Sequence, residues 1–153
     1  MHPNVTRVVE AAAAEGLAIE VRRFPEGTRT AGDAARDVGC EVAQIVKSLV
    51  FVVDDRPVVA LVSGANRVDL DKLASAASGT SARRADGDEA RAATGFAIGG
   101  VPPFGHDLPI LFDESLLEHE RVWAAAGDPH SLFCVDPHKL ASCVRARIID
   151  LGE

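Results

Sequence analysis

Lys47 is the ionisable residue whose neighbours most restrict where it can lie, because it falls inside the apolar run 45–53. Moving an unpaired ammonium group out of water is unfavourable. Strand alternation could place Lys47 on a solvated face, or its aliphatic stem could cover apolar surface while the ammonium stays in water. Spacing alone favours these two positions. The alternative is a lysine at the floor of a cleft, where it would position an anionic or carbonyl group.

The segment 94–106 is a second candidate, because its shape depends on glycine and proline. Six of the eleven positions from Gly95 to Gly105 are one or the other. Glycine lets the backbone approach a ligand and turn its N–H groups outward, and proline stiffens the chain. Such a loop could bind an oxyanion, or it could be a tight structural connection. It has neither the ending of a P-loop nor the spacing of a GxGxxG loop.

Three further residues have types that suit a site, although no pattern assigns them a role. His130 lies on a predicted turn, where a histidine could act as acid, base or hydrogen-bond donor, but most such histidines are surface residues. Ser63 and Gly64 end a predicted strand and could line a cleft. No nucleophile stands out, since the chain lacks a GxSxG motif and Cys134 lies in an apolar run typical of inert thiols.

The charge balance limits the partners. A formal net charge of −7 does not suit a protein that holds duplex nucleic acid through its phosphates. Local basic patches remain open, with Arg22, Arg23 and Arg29 close together and Arg83 next to Arg84. We therefore expect no DNA partner, and we expect any RNA to be held locally.

Cysteine usage and hydropathy indicate the cellular compartment in which the protein is expected. The three cysteines form no CxxC pair, so neither a disulfide framework nor a zinc site is expected. Reduced thiols fit a cytoplasmic protein best. No basic segment precedes an apolar run at the N-terminus, and no stretch approaches the roughly 20 apolar residues of a membrane span. We expect a soluble, unprocessed protein with no membrane partner, metal or other cofactor.

The elements that must position these residues alternate between helix and strand periodicity. Helices are predicted over 5–15, 30–38, 70–77, 86–93 and 136–143, and strands over 19–24, 45–53, 57–62, 80–84, 109–112, 121–126, 132–135 and 148–151. The second and third strands form a hairpin, and their near-continuous apolarity indicates burial on both faces. Without a strict βαβ rhythm, the pattern predicts one mixed α/β (α+β) domain over residues 1–153.

Three segments together resemble the YbaK family, whose domain is also the editing insertion of bacterial prolyl-tRNA synthetases. The segments are 30–35, 44–51 and 95–103, and their order and spacing match over nearly the whole chain. The resemblance implies a curved, barrel-like mixed β-sheet surrounded by helices. It also implies a hydrolase that cleaves the ester between a wrong amino acid and tRNA, usually the tRNA for proline.

The resemblance also implies the site residues. The family lysine corresponds to Lys47, and the G-x-x-x-P loop to residues 99–103, with the N–H groups of Gly99 and Gly100 facing the developing oxyanion. A late family histidine corresponds to His130. The substrate-binding residues implied in the same way are Thr30, Ser48, Ser63, Gly64, Ile98, Val101, Pro102, Pro103 and His130.

The chemistry implied by the family fits the missing nucleophile. An aminoacyl ester is already activated, and the 2′-hydroxyl of the terminal adenosine can help water to attack, as inferred for the family. Lys47 would then clamp the 3′ end of the tRNA. Ser48 stands where the alanine-directed branch tends to carry Asn, so serine, threonine, cysteine and 2-aminobutyrate are open as well as alanine.

The activity itself has an alternative. The first hypothesis is a freestanding deacylase that removes a small amino acid from mischarged tRNA, with prolyl-tRNA synthetase as a second partner. The other is a non-catalytic module of the same fold that binds tRNA or a synthetase, which the acidic balance favours slightly.

Overall fold

Helices and strands alternate along the chain in the computed structural model, which describes residues 2–26, 30–98 and 100–153. The α-helices are α1 (Pro3–Ala14), α2 (Ala31–Val38), α3 (Leu70–Ala76), α4 (Gly87–Thr94) and α5 (Pro137–Cys143). The strands are β1 (Val21–Arg23), β2 (Val46–Val53), β3 (Arg56–Ser63), β4 (Ala82–Arg84), β5 (Ile110–Asp113), β6 (Val122–Ala125), β7 (Ser131–Val135) and β8 (Arg147–Ile149). Each predicted helix and strand has a counterpart among them. Two short 3₁₀ helices, Val42–Gln44 and Glu114–Glu118, were not predicted.

Helix ends follow local capping chemistry. The Thr30 hydroxyl accepts a hydrogen bond from the Asp33 N–H at 3.1 Å, which fixes the start of α2 as the sequence predicts. Helix α1 begins at Pro3, two residues before the predicted start at residue 5. The Nδ1 atom of His2 accepts from the Asn4 N–H at 3.0 Å, so His2 is the cap. Proline at the first helical position suits that start.

The predicted hairpin of β2 and β3 is present and is antiparallel throughout. Its two-residue turn places Asp54 and Asp55 at φ angles of 48° and 70°. Positive φ at both central residues is the geometry that matches the twist of the flanking strands. The Asp54 carboxylate accepts from the N–H groups of Thr80 and Ser81, at 2.9 and 3.0 Å, which stabilises the turn.

The strands form two sheets. One has the order β1-β7-β6 and the other β4-β2-β3-β5-β8. The pairs β3–β5 and β5–β8 are parallel, and the remaining pairs are antiparallel. A bridge between Ile45 and Trp123 joins the sheets. The mixed α/β class is thus confirmed, with the barrel-like curve built from two joined sheets that do not close.

Strand β2 is buried on both faces, as its apolarity predicts. Val46 and Val50 belong to the largest core cluster, which also contains the fully buried Phe112 and Phe133. Phe51, on the opposite face of β2, packs in a second cluster beneath α3. Lys47 and Ser48 are consecutive residues of β2, and each interrupts one of these two apolar faces. The surroundings of these two side chains therefore decide whether β2 can contribute to a functional site.

A helix of α1's length cannot span a bilayer, and α1 is twelve residues long. Across the described residues, no helix is both long and apolar enough to cross a membrane.

Candidate active site

A cleft opens where the two sheets part along β2. The last bond between β4 and β2 on this side joins the Ala85 N–H to the Val50 carbonyl at 3.0 Å. At the other end, Ile45 forms its bridge with Trp123 on β6. Between these points no described strand pairs with residues 46–49 on this side. The gap holds a cleft of about 320 Å³.

Small side chains make up much of the cleft wall. Ala31 and Ala34 come from α2, Ala85 follows β4, Ala90 belongs to α4, and Ala125 lies on β6. The volume is near the lower end of the range for small-molecule sites. The cleft therefore suits a small side chain or the tip of a larger ligand.

Lys47 lies at this cleft with its side chain half-buried. Its Nζ atom donates to the backbone carbonyl of Asn66 at 2.6 Å. Burial, followed by the positive charges of Arg84 and Arg67, lowers the pKa of Lys47, and the Asp113 carboxylate partly offsets these effects. The sequence left open whether Lys47 lies on a solvated face or at a cleft, and in the structure it lines a cleft.

Asn66 is held by a buried polar network that the sequence did not reveal. Its Nδ2 atom donates to Asp113 Oδ2 at 3.0 Å and to Ser115 Oγ at 2.8 Å. Asp113 is 1% exposed and also accepts from the Ser63 N–H at 3.4 Å. This network fixes the carbonyl that receives the Lys47 ammonium. An aspartate directly after the apolar run 109–112 was the available signal.

The backbone of Ser48 faces the gap. The Ile45 carbonyl accepts from the Gly64 N–H at 2.7 Å on the β3 side, whereas the Val50 carbonyl accepts from Ala85 on the β4 side. Peptide groups of successive residues in a strand point to opposite sides, so those of every second residue point the same way. Those of Ser48 therefore point the same way as those of Val50, into the cleft. Among the described residues, no backbone hydrogen bond outside the strand ladders involves Ser48.

The adjacent arginines of β4 have different surroundings. Arg83 donates to both carboxylate oxygens of Glu89, at 2.8 and 2.7 Å, and lowers the pKa of Glu89 to about 2. Arg84 lines the cleft, and its guanidinium carbon lies 5.9 Å from the centre of the Phe51 ring. Within the described ranges Arg84 forms no ion pair. Only one of the two is thus left to face a ligand.

The glycine–proline loop contributes part of the opposite wall. Ile98, 51% exposed, and the buried Val101 line the cleft. Gly99 lies outside the described residues. The Gly100 N–H donates to the Ala97 carbonyl at 3.0 Å, so this donor is engaged, and facing an oxyanion would require that bond to open.

The predicted prolines and the serine–glycine pair are not among the residues that line the cleft. The Pro102 carbonyl accepts from His106, and Pro103 lines a separate groove. The Ser63 hydroxyl donates to the Ala43 carbonyl at 2.8 Å. A Cβ at Gly64 would lie 2.5 Å from the Val42 carbonyl oxygen, so glycine is required there by close packing.

The predicted histidine also lies outside the cleft lining. His130 Nδ1 donates to the Phe24 carbonyl at 3.2 Å, and its N–H donates to Asp128 Oδ1 at 2.8 Å. These bonds tie β1 to the turn before β7. The structure thus brings together five of the predicted residues, namely Thr30, Lys47, Ser48, Ile98 and Val101.

A family model for the aminoacyl-tRNA editing domain matches residues 25–143 of the chain. The chain belongs to the aminoacyl-tRNA editing domain family. That membership confirms the resemblance of segments 30–35, 44–51 and 95–103 to the YbaK family. The matched region contains the cleft, Lys47 and the glycine–proline loop.

Relatives of this editing domain include freestanding proteins and larger ligases. YwhH of Bacillus subtilis is 31% identical over 80% of this chain and 79% of its own length. The proline–tRNA ligase of Maridesulfovibrio salexigens is 32% identical over 76% of this chain, which spans only 20% of that ligase. EbsC of Enterococcus faecalis, described as a candidate Cys-tRNA(Pro)/Cys-tRNA(Cys) deacylase, is 26% identical over 84% of this chain and 80% of its own length.

A solved structure has nearly the same fold as this editing domain. It is described as a candidate trans-editing enzyme for prolyl tRNA synthetase. The two chains superpose with a TM-score of 0.93 and 46% sequence identity, covering 100% of this chain and 99% of the other.

The cleft of the editing domain has no cysteine in its lining. Burial raises the pKa of both Cys40 and Cys134, which disfavours thiolates at these positions. In the described part of the chain, no cluster of three histidine, cysteine or acidic side chains is arranged to hold a metal ion. Among the described residues, the polar side chains that line the cleft are those of Lys47, Arg84, Ser48 and Thr30, and the Thr30 hydroxyl is already bonded as the cap of α2.

Proposed function

We propose that this chain is an aminoacyl-tRNA deacylase that removes a small non-cognate amino acid from mischarged tRNA, with the tRNA for proline as its substrate. The observation that carries the proposal is the pairing of cations with a small apolar cleft. Lys47 and Arg84 border the cleft, Arg67 is near enough to lower the pKa of Lys47, and the wall is rich in alanine. An anionic 3′ end joined to a small side chain matches both features.

In the proposed reaction, water attacks the ester carbonyl carbon. A new carbon–oxygen bond forms, the bond from that carbon to the ribose oxygen breaks, and the proton lost by water reaches the ribose oxygen. The products are the free amino acid and tRNA with an intact terminal hydroxyl. The neighbouring 2′-hydroxyl of the substrate can orient the water, so no nucleophile from the protein is needed.

Lys47 has the role of a clamp in this proposal. An ammonium group has three N–H donors, and the Asn66 carbonyl accepts one of them at 2.6 Å. Two donors remain for the ribose or phosphate oxygens of the tRNA end. Arg84 would contact a second phosphate oxygen, since guanidinium groups pair well with phosphate.

The oxyanion needs a donor that is free in the unliganded protein. The Ser48 N–H, which points into the gap, is such a donor, and it adds to the glycines suggested by family resemblance. Gly99 and Gly100 stay part of the proposal, with the condition that the bond from Gly100 to Ala97 opens.

The choice of tRNA is supported by the relatives. One is a proline–tRNA ligase, and another is described as acting on Cys-tRNA(Pro). The alanine-rich wall supports the choice of a small amino acid, because steric exclusion of a larger side chain is effective, whereas one methylene changes binding by only about 1–3 kcal/mol.

The test is a deacylation panel on the tRNA for proline charged with alanine, serine, cysteine, threonine or 2-aminobutyrate. We expect release of at least one amino acid, and a fall of about 100-fold in kcat/KM for Lys47→Ala, as for loss of a preorganised electrostatic donor. Lys72→Ala is the control, because Lys72 pairs with Asp150 and does not line the cleft.

Two results would contradict the deacylase. No release from any of the five substrates, combined with tight binding of tRNA or synthetase, would favour the non-catalytic module instead. Full activity in Lys47→Ala would also contradict the proposed function, because it would show that Lys47 does not hold the substrate.

A further inference from the structure

The Ser48 hydroxyl is a buried polar group without a partner. Its oxygen is buried, and it makes no hydrogen bond within residues 2–26, 30–98 and 100–153. Buried hydroxyls almost always have a partner, because an unmade hydrogen bond lowers stability. Alanine at this position would avoid that loss. A serine that the fold does not use therefore indicates an interaction with something absent from the folded chain alone.

The neighbours of this hydroxyl are apolar. Ser48 shares its face of β2 with Val46 and Val50, and Ala85 and Val101 line the same cleft. None of these side chains can donate or accept a hydrogen bond. A ligand that reaches this face of β2 would thus meet one hydroxyl between two buried valines.

We infer that the Ser48 hydroxyl selects a hydroxyl-bearing amino acid, serine first, over apolar residues of the same size. The inference rests on the proposed deacylase function and deepens it. The substrate hydroxyl would pair with Ser48 Oγ, which satisfies both groups in a place that water does not reach. A methyl group of equal volume would leave Ser48 unsatisfied.

Access to the hydroxyl follows from its position at the gap. Ser48 as a residue is partly exposed along the cleft, although its oxygen is covered in the unliganded protein. A substrate side chain must displace part of the apolar lining to reach that oxygen. A hydroxyl is compensated for this displacement by a new hydrogen bond, whereas a methyl group is not.

The test compares two isosteric substrates, because the side chains of serine and 2-aminobutyrate differ only by hydroxyl against methyl. We expect kcat/KM to favour seryl-tRNA by about tenfold, the order expected for one buried hydrogen bond. In Ser48→Ala this ratio should fall to about one, because the variant loses the hydrogen bond that favours seryl-tRNA. The melting temperature of Ser48→Ala should stay equal or rise, since no bond of the folded chain is lost.

A control variant and the remaining outcomes separate this inference from the proposed function. Ser75→Ala, on the exposed surface of α3, should leave the substrate ratio unchanged. Release of neither amino acid, nor of the others in the panel, would overturn the deacylase itself. Equal rates for the two substrates in the unmodified protein would overturn only the role of Ser48. So would a Ser48→Ala variant that melts earlier and slows both substrates alike.

Discussion

The two walls of the cleft, one formed by β2 and the other by the glycine–proline loop, differ in whether their polar groups already have hydrogen-bond partners. On the β2 wall, two N–H donors of the Lys47 ammonium and the peptide and hydroxyl of Ser48 have no partner among the described residues. The glycine–proline loop forms the loop wall through Ile98 and Val101, and within this loop the Gly100 N–H is bonded to Ala97 and the Pro102 carbonyl to His106. The strand wall therefore presents contacts to a ligand, and the loop wall gives the cleft its shape. Substitutions on the two walls should accordingly fail in different ways.

A substitution at Gly100 should damage the shape of the cleft and has the largest expected effect. An added Cβ would lie 2.9 Å from the Cα of Asp128 and 3.1 Å from the Gly127 carbonyl oxygen. Backbone atoms cannot move aside cheaply, so we expect Gly100→Ala to lower the free energy of unfolding by about 2 kcal/mol. Urea denaturation measures this change.

The matched control for Gly100 is Gly32→Ala in α2. The nearest atom to an added Cβ there is Thr30 Oγ at 3.7 Å, so the substitution fits, and it should stabilise the helix by about 0.5–1 kcal/mol. An unfolding midpoint of Gly100→Ala equal to that of the parent would mean that the loop does not pack closely on the turn at residues 127–128.

On the strand side of the cleft, Arg84 should affect binding without affecting the fold. Arg84→Gln should raise KM for charged tRNA about five- to tenfold and reduce the salt dependence of binding by about one phosphate contact. Arg83→Gln is the neighbouring control, because the Arg83 guanidinium is already bound by Glu89. Equal losses in both variants would indicate a general effect of charge and argue against a contact made by Arg84.

The sequence predicted the elements well because their signals are local. Thr30 caps α2 through a bond to a residue three positions along the chain, and two aspartates adopt the positive φ angles of the turn between β2 and β3. Arg84 could also have been separated from Arg83, since consecutive strand residues point to opposite faces.

The unpredicted parts of the site depend on contacts between distant segments. Lys47 is held by the backbone carbonyl of Asn66, and every residue type has such a carbonyl. His130 has the right type for catalysis, yet its ring is used to bond Phe24, a partner more than a hundred residues away. Residue types were therefore enough to nominate candidates for the site. Which candidates lie together in the cleft depends on how distant segments of the chain pack, and the sequence did not show this.

The smallest predicted effect concerns His106, which fastens the loop wall. Its Nε2 atom donates to the Pro102 carbonyl at 3.2 Å, and its buried Nδ1 atom has no hydrogen-bond partner in the part of the chain that the structure describes. Burial lowers the pKa of His106 from 6.5, and Arg7 on α1 lowers it further, while the Pro102 bond and Asp107 act in the opposite direction. The folded protein therefore favours the neutral ring.

The sign of the pH effect follows from that preference. The unfolded chain binds a proton to His106 at higher pH than the folded chain does, so stability is greatest above pH 6.5 and falls as the pH drops through the lowered pKa. His106→Gln keeps an N–H donor for Pro102 and cannot titrate. We expect its melting temperature to fall less than that of the parent between pH 7 and about 5. If the melting temperatures of the two proteins fall in parallel with pH, protonation of His106 does not loosen the loop. The shape of the loop wall would then depend on packing around residues such as Gly100 alone.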